Sequence, residues 1–321
     1  MIQRYDFAPL DGITKVVFRQ VYHRLFGGAD RYFLPFFSPT DQHILTKRDR
    51  RELDPAANAG LRVVPQVMTR RAPDFLWAAE LLEDMGYTEV NLNLGCPSGT
   101  VTAKGKGSGF LAKPEELERF FDEVFASVKL PVSVKTRLGV KEPEEFERLL
   151  EIYNRYPIAC LTIHPRVQKQ FYKGTVYRDW FAWAAERSRN PLCYNGDLVT
   201  VEDCGAFEAD FPAIDAVMIG RGAVADPALF RKLRGGTPAT RREIQTFTRT
   251  LYQSYQEFYG QVGPAAQRMK EVWFFLIHLF EGGERHHKKM RRLRTPAEYE
   301  AVEAAIFREL PLRDHAEGAF G

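Results

Sequence analysis

Cysteine is scarce in this sequence: four residues in 321, Cys96, Cys160, Cys193 and Cys204, with no CxxC pair among them. That spacing argues against a disulfide framework and a zinc cluster, and points to a reducing compartment. No metal is expected. Long apolar runs are also missing, since none approaches the roughly 20 residues that span a bilayer. The opening Met1-Ile2-Gln3-Arg4-Tyr5-Asp6 lacks the basic-then-apolar layout of a signal peptide. The expectation is therefore a cytoplasmic protein with no membrane partner. No sign of charge dominates: 45 Lys and Arg stand against 42 Asp and Glu, a net charge of +3. So small a surplus does not announce a polyanion partner, although it permits a local basic face. Fixed-period repeats, low-complexity tracts and the phosphate-loop spacings GxxxxGK[ST] and GxGxxG are likewise absent.

What is present is the balance of a packed globular protein, with 45% hydrophobic and 27% charged residues. To about residue 233, short apolar runs alternate with amphipathic stretches, the pattern of βα units around a parallel sheet. Strands are predicted at Tyr5–Leu10, Tyr32–Phe37, Val63–Met68, Val90–Leu94, Val132–Thr136, Cys160–Ile163, Leu192–Tyr194 and Ala216–Ile219. Helices are predicted at Pro73–Met85, Pro114–Val128, Pro143–Arg155, Val201–Ala209 and Pro227–Leu233. The expected fold is α/β: a (β/α)8 TIM barrel over residues 1–236, then a small helical bundle over 237–321. The cluster Arg234-Gly235-Gly236-Thr237-Pro238 reads as the linker between them. In the second part, helical spacing covers Arg241–Phe258, Ala265–Phe280 and Pro296–Phe307. The connection from Arg285 to Arg294 carries six Lys or Arg among ten residues, the one concentrated basic patch.

Polar or glycine residues follow almost every predicted strand, and in a barrel these positions surround one cavity at the C-terminal face. Asn93-Leu94-Gly95-Cys96-Pro97, with Gly105-Lys106-Gly107-Ser108-Gly109 downstream, displays a cysteine in a loop, and the glycine-rich stretch reads as a flexible wall or lid. Lys135 interrupts an apolar strand and needs an anionic neighbour, either a carboxylate on the next strand or a ligand such as reduced flavin. Arg137 accompanies it. His164 sits at the functional end of its strand, open to a cofactor contact or a base role. Asn195-Gly196-Asp197 and Gly220-Arg221-Gly222 follow the last two strands, where barrels commonly hold phosphate.

Taken together these residues resemble the tRNA-dihydrouridine synthase (Dus) family. Ala8-Pro9-Leu10-Asp11-Gly12-Ile13-Thr14 with Phe18-Arg19 is similar to its opening strand and flavin-facing loop, and Asn93-Leu94-Gly95-Cys96-Pro97 with Val101 to its catalytic loop. Lys135-Thr136-Arg137-Leu138-Gly139, His164-Pro165-Arg166, Tyr172-Lys173-Gly174, Asn195-Gly196-Asp197 and Val217-Met218-Ile219-Gly220-Arg221-Gly222 follow in the family's order. The resemblance implies FMN as cofactor, NADPH as reductant and a uridine of tRNA as substrate. It implies hydride transfer from FMN N5 to uracil C6 and a proton from Cys96 to C5. It assigns Ala8, Pro9, Gln66, Lys135, His164, Asn195, Asp197, Gly220 and Arg221 to the cofactor, and Asn93, Arg137, Arg166, Tyr172, Arg268 and Lys270 to the RNA. A monomer is expected. Leu10 stands where the family often has methionine and Phe110 where it often has smaller aliphatic residues, which bears on subfamily. Two other readings share features: an FMN barrel acting on a small molecule, such as a dihydroorotate dehydrogenase or enoate reductase, and a non-catalytic RNA-binding protein. The helical domain with its basic segment argues against the first, and the presence of Cys96, Lys135 and His164 against the second.

Overall fold

The computed structural model describes residues 2–318. Nine strand segments form one all-parallel sheet in the order β3-β2-β1-β9-β8-β7-β6-β5-β4. They are β1 Arg4–Phe7, β2 Arg31–Phe33, β3 Val63–Val64, β4 Gln66–Val67, β5 Val90–Leu94, β6 Val132–Arg137, β7 Leu161–His164, β8 Leu192–Tyr194 and β9 Ala216–Ile219. β3 and β4 are the single predicted strand 63–68, cut at Pro65, which has no N–H to give the ladder. Joined across Pro65, the segments make the eight strands of a (β/α)8 barrel.

The helices are α1 Val16–Leu25, α2 Lys47–Leu53, α3 Ala72–Asp84, α4 Gly99–Thr102, α5 Pro114–Phe125, α6 Glu145–Tyr153, α7 Arg178–Arg187, α8 Val201–Asp210, α9 Arg221–Ala225, α10 Leu229–Leu233, α11 Arg241–Tyr259, α12 Val262–Leu276, α13 Glu284–Arg292 and α14 Pro296–Glu309. The strand positions facing the helices are apolar and fully buried, among them Phe7, Val67, Leu92, Val134, Ile163 and Val217. The alternate positions face the barrel axis and are largely polar: Asp6, Arg31, Gln66, Asn91, Asn93, Ser133 and Thr162. One side of each strand thus makes the main core, and the other fills the barrel with these polar groups and a small apolar cluster that includes Phe33, Val64, Cys160 and Cys193, reaching the site at its C-terminal end.

Helices α11 to α14 follow the connection 234–240 and pack onto the barrel through α1, where the ring centroids of Phe18 and Phe247 are 5.9 Å apart. The segment expected as a basic connection is helical. α13 buries His286 and Met290 and exposes Arg285, Lys288, Lys289, Arg291 and Arg292. α11 starts at a reciprocal capping box: the Thr240 hydroxyl accepts the Glu243 N–H at 3.2 Å, and the Glu243 carboxylate accepts the Thr240 N–H at 2.8 Å. Thr240→Ala is expected to cost about 1 kcal/mol, read as a lower urea midpoint with an unchanged m-value. Among the described residues no helix is long and apolar enough to cross a membrane.

Candidate active site

The loop after β5 is held from both sides. The Asn93 side-chain carbonyl accepts the N–H groups of Gly95 at 3.0 Å and Cys96 at 2.9 Å. The Cys96 carbonyl accepts both the N–H of Ser108 at 3.1 Å and its hydroxyl at 2.8 Å. Gly107 has φ +57°, and a Cβ there would lie 2.8 Å from the Cys96 carbonyl oxygen, so only glycine lets the two loops close on each other. This corrects the expectation of a flexible wall or lid: Gly107, Ser108 and Phe110 are buried in a short 3-10 turn outside the cavity lining and anchor the cysteine loop. Arg137 braces the same loop from β6, donating to the Gly95 carbonyl at 2.8 Å and the Val167 carbonyl at 3.1 Å.

Cys96 is half-buried, whereas Cys160, Cys193 and Cys204 are buried. Burial pushes the Cys96 thiol up, against the smaller opposing pull of the Ser98 backbone. At neutral pH it is a protonated thiol, an acid rather than a nucleophile.

Lys135 points to the barrel axis level with Asn93. Burial, and secondarily Arg137, lower its amine to about 7. No carboxylate lies within ion-pair distance of it among the described residues, which removes the alternative of a strand-to-strand salt bridge. His164 is held well below its ordinary pKa by burial first and then by Arg137 and Lys135, so it is neutral. Its Nε2 lies 3.2 Å from Arg166 Nη1, which can only donate. The ring proton is therefore on Nδ1.

At the ends of β8 and β9, Asp197 bridges two arginines: Arg166 through both carboxylate oxygens, at 2.9 and 2.5 Å, and Arg221 at 2.7 Å. Asp197 thereby fixes the direction of both guanidinium groups while itself lining the cavity. Burial lowers the Arg221 guanidinium, and Asp197 opposes that. Tyr172 covers this end, its ring 4.9 Å from the Arg221 guanidinium and 5.3 Å from that of Arg137, with His164 at 6.1 Å. Asn195 is fixed by donating to the Met218 carbonyl at 2.8 Å. A Cβ at Gly222 would stand 2.5 Å from the Leu198 carbonyl oxygen, so glycine is what lets the chain cross there.

These groups line one cavity of about 480 Å³ at the C-terminal end of the barrel. Of the residues singled out in the sequence, Ala8, Pro9, Gln66, Asn93, Cys96, Lys135, Arg137, His164, Tyr172, Asn195, Asp197, Gly220 and Arg221 line it. Arg166 lies behind the wall, 1% exposed, donating also to the Gly174 carbonyl. Arg268 and Lys270 are not in the lining. Arg268 donates to the Gly12 carbonyl at 3.3 Å and pairs with Glu271 at 2.7 Å, while Lys270 donates to the Leu293 carbonyl at 3.0 Å. The sequence reading missed Pro35 and Phe36, concealed within a strand that ends earlier than expected, and Phe274 and Phe275 of α12. The latter pair carries no signal separable from ordinary helix-core periodicity. Among the described residues no group of three or more His, Cys, Asp or Glu is placed to hold a metal.

Comparison with known proteins gives the arrangement its relatives. The family model for dihydrouridine synthase (Dus) matches residues 6–310. The probable tRNA-dihydrouridine synthase 1 of Synechocystis sp. is 31% identical over 278 residues, 83% of this chain and 76% of that one. The tRNA-dihydrouridine(16) synthase of Cupriavidus necator is 28% identical over 319 residues, 94% of this chain and 96% of that one. Among solved structures, morphinone reductase superposes with a TM-score of 0.52 at 16% identity, over 76% of this chain and 88% of that one, a likeness of fold alone. With a family match across nearly the whole chain and relatives above 30% identity, this chain belongs to the dihydrouridine synthase family.

Proposed function

We propose that this protein reduces a uridine of transfer RNA to dihydrouridine, with FMN held in the barrel mouth and NADPH as the external reductant. The observation that carries the reading is a half-buried amine, Lys135, with no carboxylate within ion-pair distance among the described residues, facing the same cavity as a protonated, half-buried thiol, Cys96. An anion satisfies the first, and an acceptor carbon awaiting a proton uses the second. The names of the relatives and the family match support the choice of transfer RNA and of uridine.

The cavity's donors fit FMN. Gln66, Lys135, His164 and Asn195 surround its deep part with amides, an amine and a neutral imidazole, suited to the polar edge of a flavin, and Ala8, Pro9 and Met218 offer an apolar surface for its rings. Arg221, aimed by Asp197, would take the phosphate. When bound, FMN supplies the two-electron reduction that no side chain can. The chain's own part is to place a proton: the Asn93 amide and the Ser108 clamp hold the Cys96 loop so that its thiol can protonate one carbon of the base. Arg137 and Tyr172 border the mouth where an unstacked base enters.

The division of labour we propose is catalysis by residues 1–236 and RNA binding by 237–321, with α13 as a phosphate-contacting face. Phe274 and Phe275 bring the helical part to the rim of the cavity. Lys288→Glu combined with Lys289→Glu is expected to raise the KM for transfer RNA about tenfold. The change should flatten its dependence on log salt by about two charges, leaving flavin content and kcat unchanged. Equal KM and salt slope in the variant would remove α13 from the RNA interface.

The decisive experiment incubates the purified protein, its flavin identified from the visible spectrum, with NADPH and unmodified transfer RNA, and measures dihydrouridine. Product formation supports the reading. FMN bound without product from any transfer RNA points to a small-molecule reductase, and a protein that cannot be loaded with FMN overturns the reading.

A further inference from the structure

The barrel interior below the site is wired by a continuous chain of side-chain hydrogen bonds. At its base Arg31 makes a two-bond ion pair with Asp6, at 2.9 and 2.7 Å, and donates a third bond to Glu89 at 2.8 Å. The other Glu89 oxygen accepts the Ser133 hydroxyl at 2.6 Å, and the Ser133 oxygen accepts the Asn91 amide at 2.9 Å. The Asn91 carbonyl accepts the Gln66 amide at 2.8 Å, and the Gln66 carbonyl accepts the Asn93 amide at 2.7 Å. The Asn93 carbonyl then receives the backbone N–H groups of Gly95 and Cys96. The register explains the ladder, since Gln66, Asn91 and Ser133 are cross-strand partners on β4, β5 and β6.

The direction of this chain is imposed at both ends. Glu89 can only accept, so Ser133 must give it its single proton and take the Asn91 amide on its oxygen. Backbone N–H groups can only donate, so Asn93 must turn its carbonyl to the Cys96 loop and its amide to Gln66. Both requirements select the same orientation for the three amides between them. Flipping any one buries an N–H against an N–H and an oxygen against an oxygen, with Gln66, Asn91 and Ser133 all fully buried.

We infer that Asn91 and Ser133, which do not line the cavity, are positioning residues that fix the rotamers of Gln66 and Asn93 and so the placement of the Cys96 thiol. The catalytic consequence rests on the function proposed above. The structural consequence does not, because the reactivity of Cys96 can be read in the protein without RNA or reductant. The other three cysteines are buried, which lets iodoacetamide followed by peptide mass spectrometry report on Cys96 alone.

Three variants test it: Asn91→Ala, Ser133→Ala and Ser133→Thr, the last keeping the hydroxyl. Asn91→Ala is expected to speed Cys96 alkylation about fivefold and to lower kcat at least tenfold, with the KM for transfer RNA within twofold. Ser133→Ala moves both quantities the same way by a smaller factor, and Ser133→Thr returns them to within twofold of the parent. If Asn91→Ala fails to fold, Ser133→Ala and Ser133→Thr alone decide. Folded alanine variants with unchanged alkylation overturn the inference, as does a Ser133→Thr variant no better than Ser133→Ala. If the parent makes no dihydrouridine, the proposed function fails while the alkylation rates still decide this one.

Discussion

Cys96→Ala is expected to lower dihydrouridine formation by about 10²–10⁴-fold, the usual worth of a positioned acid, without lowering FMN content or raising the KM for transfer RNA. The separation follows from how the loop is built. The bonds to Asn93 and to Ser108 that hold it run through the backbone of Cys96, and the sulfur meets only the weaker pull of the neighbouring Ser98 backbone within the same loop. Truncation therefore removes the proton and leaves the scaffold. The pH profile makes the role specific. Because burial raises the thiol above its ordinary value, the protonated form persists through neutrality, and the rate should stay level to about pH 8 and fall at higher pH as the thiol ionises. A thiolate nucleophile would show the opposite, a rate that climbs with pH. A Cys96→Ala variant within twofold of the parent, or a rate rising from pH 7 to 9, would remove Cys96 from the chemistry.

Lys135→Met should weaken FMN binding by about 10–100-fold, the value of one hydrogen bond from a charged donor, and it should do so without destabilising the apoprotein. The amine is depressed to about 7 against an ordinary 10.5. Between those values the unfolded chain binds more protons than the folded one, so the apoprotein gains stability as pH rises through that window. The methionine variant loses that slope. The anionic ring edge of reduced FMN arriving beside Lys135 raises its pKa again, so binding of reduced FMN under anaerobic conditions should take up close to one proton at pH 8 and its affinity should fall from pH 7 to pH 9. Titration calorimetry in two buffers of different ionisation enthalpy measures the uptake. No uptake at pH 8 in the parent, or the same uptake in Lys135→Met, would show that this amine does not meet the cofactor.

Several features were readable before any coordinates. The βα alternation located all eight strands, because a doubly covered strand is a short apolar run whatever surrounds it. Helices α1, α2 and α7 were among those that went unpredicted, although α1 buries Val16, Phe18, Val21 and Tyr22 on one face. The sequence KRDRREL of α2 buries only Glu52 and Leu53. Cys96, Lys135, His164 and Arg221 stood out because each breaks a local pattern at a strand end. Phe274 and Phe275 broke none, and they reach the cavity only because α12 crosses its rim.

Local periodicity along the chain carries the fold class, and the residues that end each strand carry the chemistry available at the barrel mouth. Tertiary structure alone decided what those residues do to one another. Asp197, five residues past the start of its strand, became the partner of Arg166 and Arg221 from two other segments. The glycine-rich stretch became an anchor beneath Cys96 instead of a lid above it, because Gly107 meets the Cys96 carbonyl. Asn91 and Ser133 read as unremarkable strand positions until the register of β4, β5 and β6 set them side by side. A hydrogen bond between strands needs two groups within about 3 Å, and no pattern along one chain records which positions closure of the barrel brings that near.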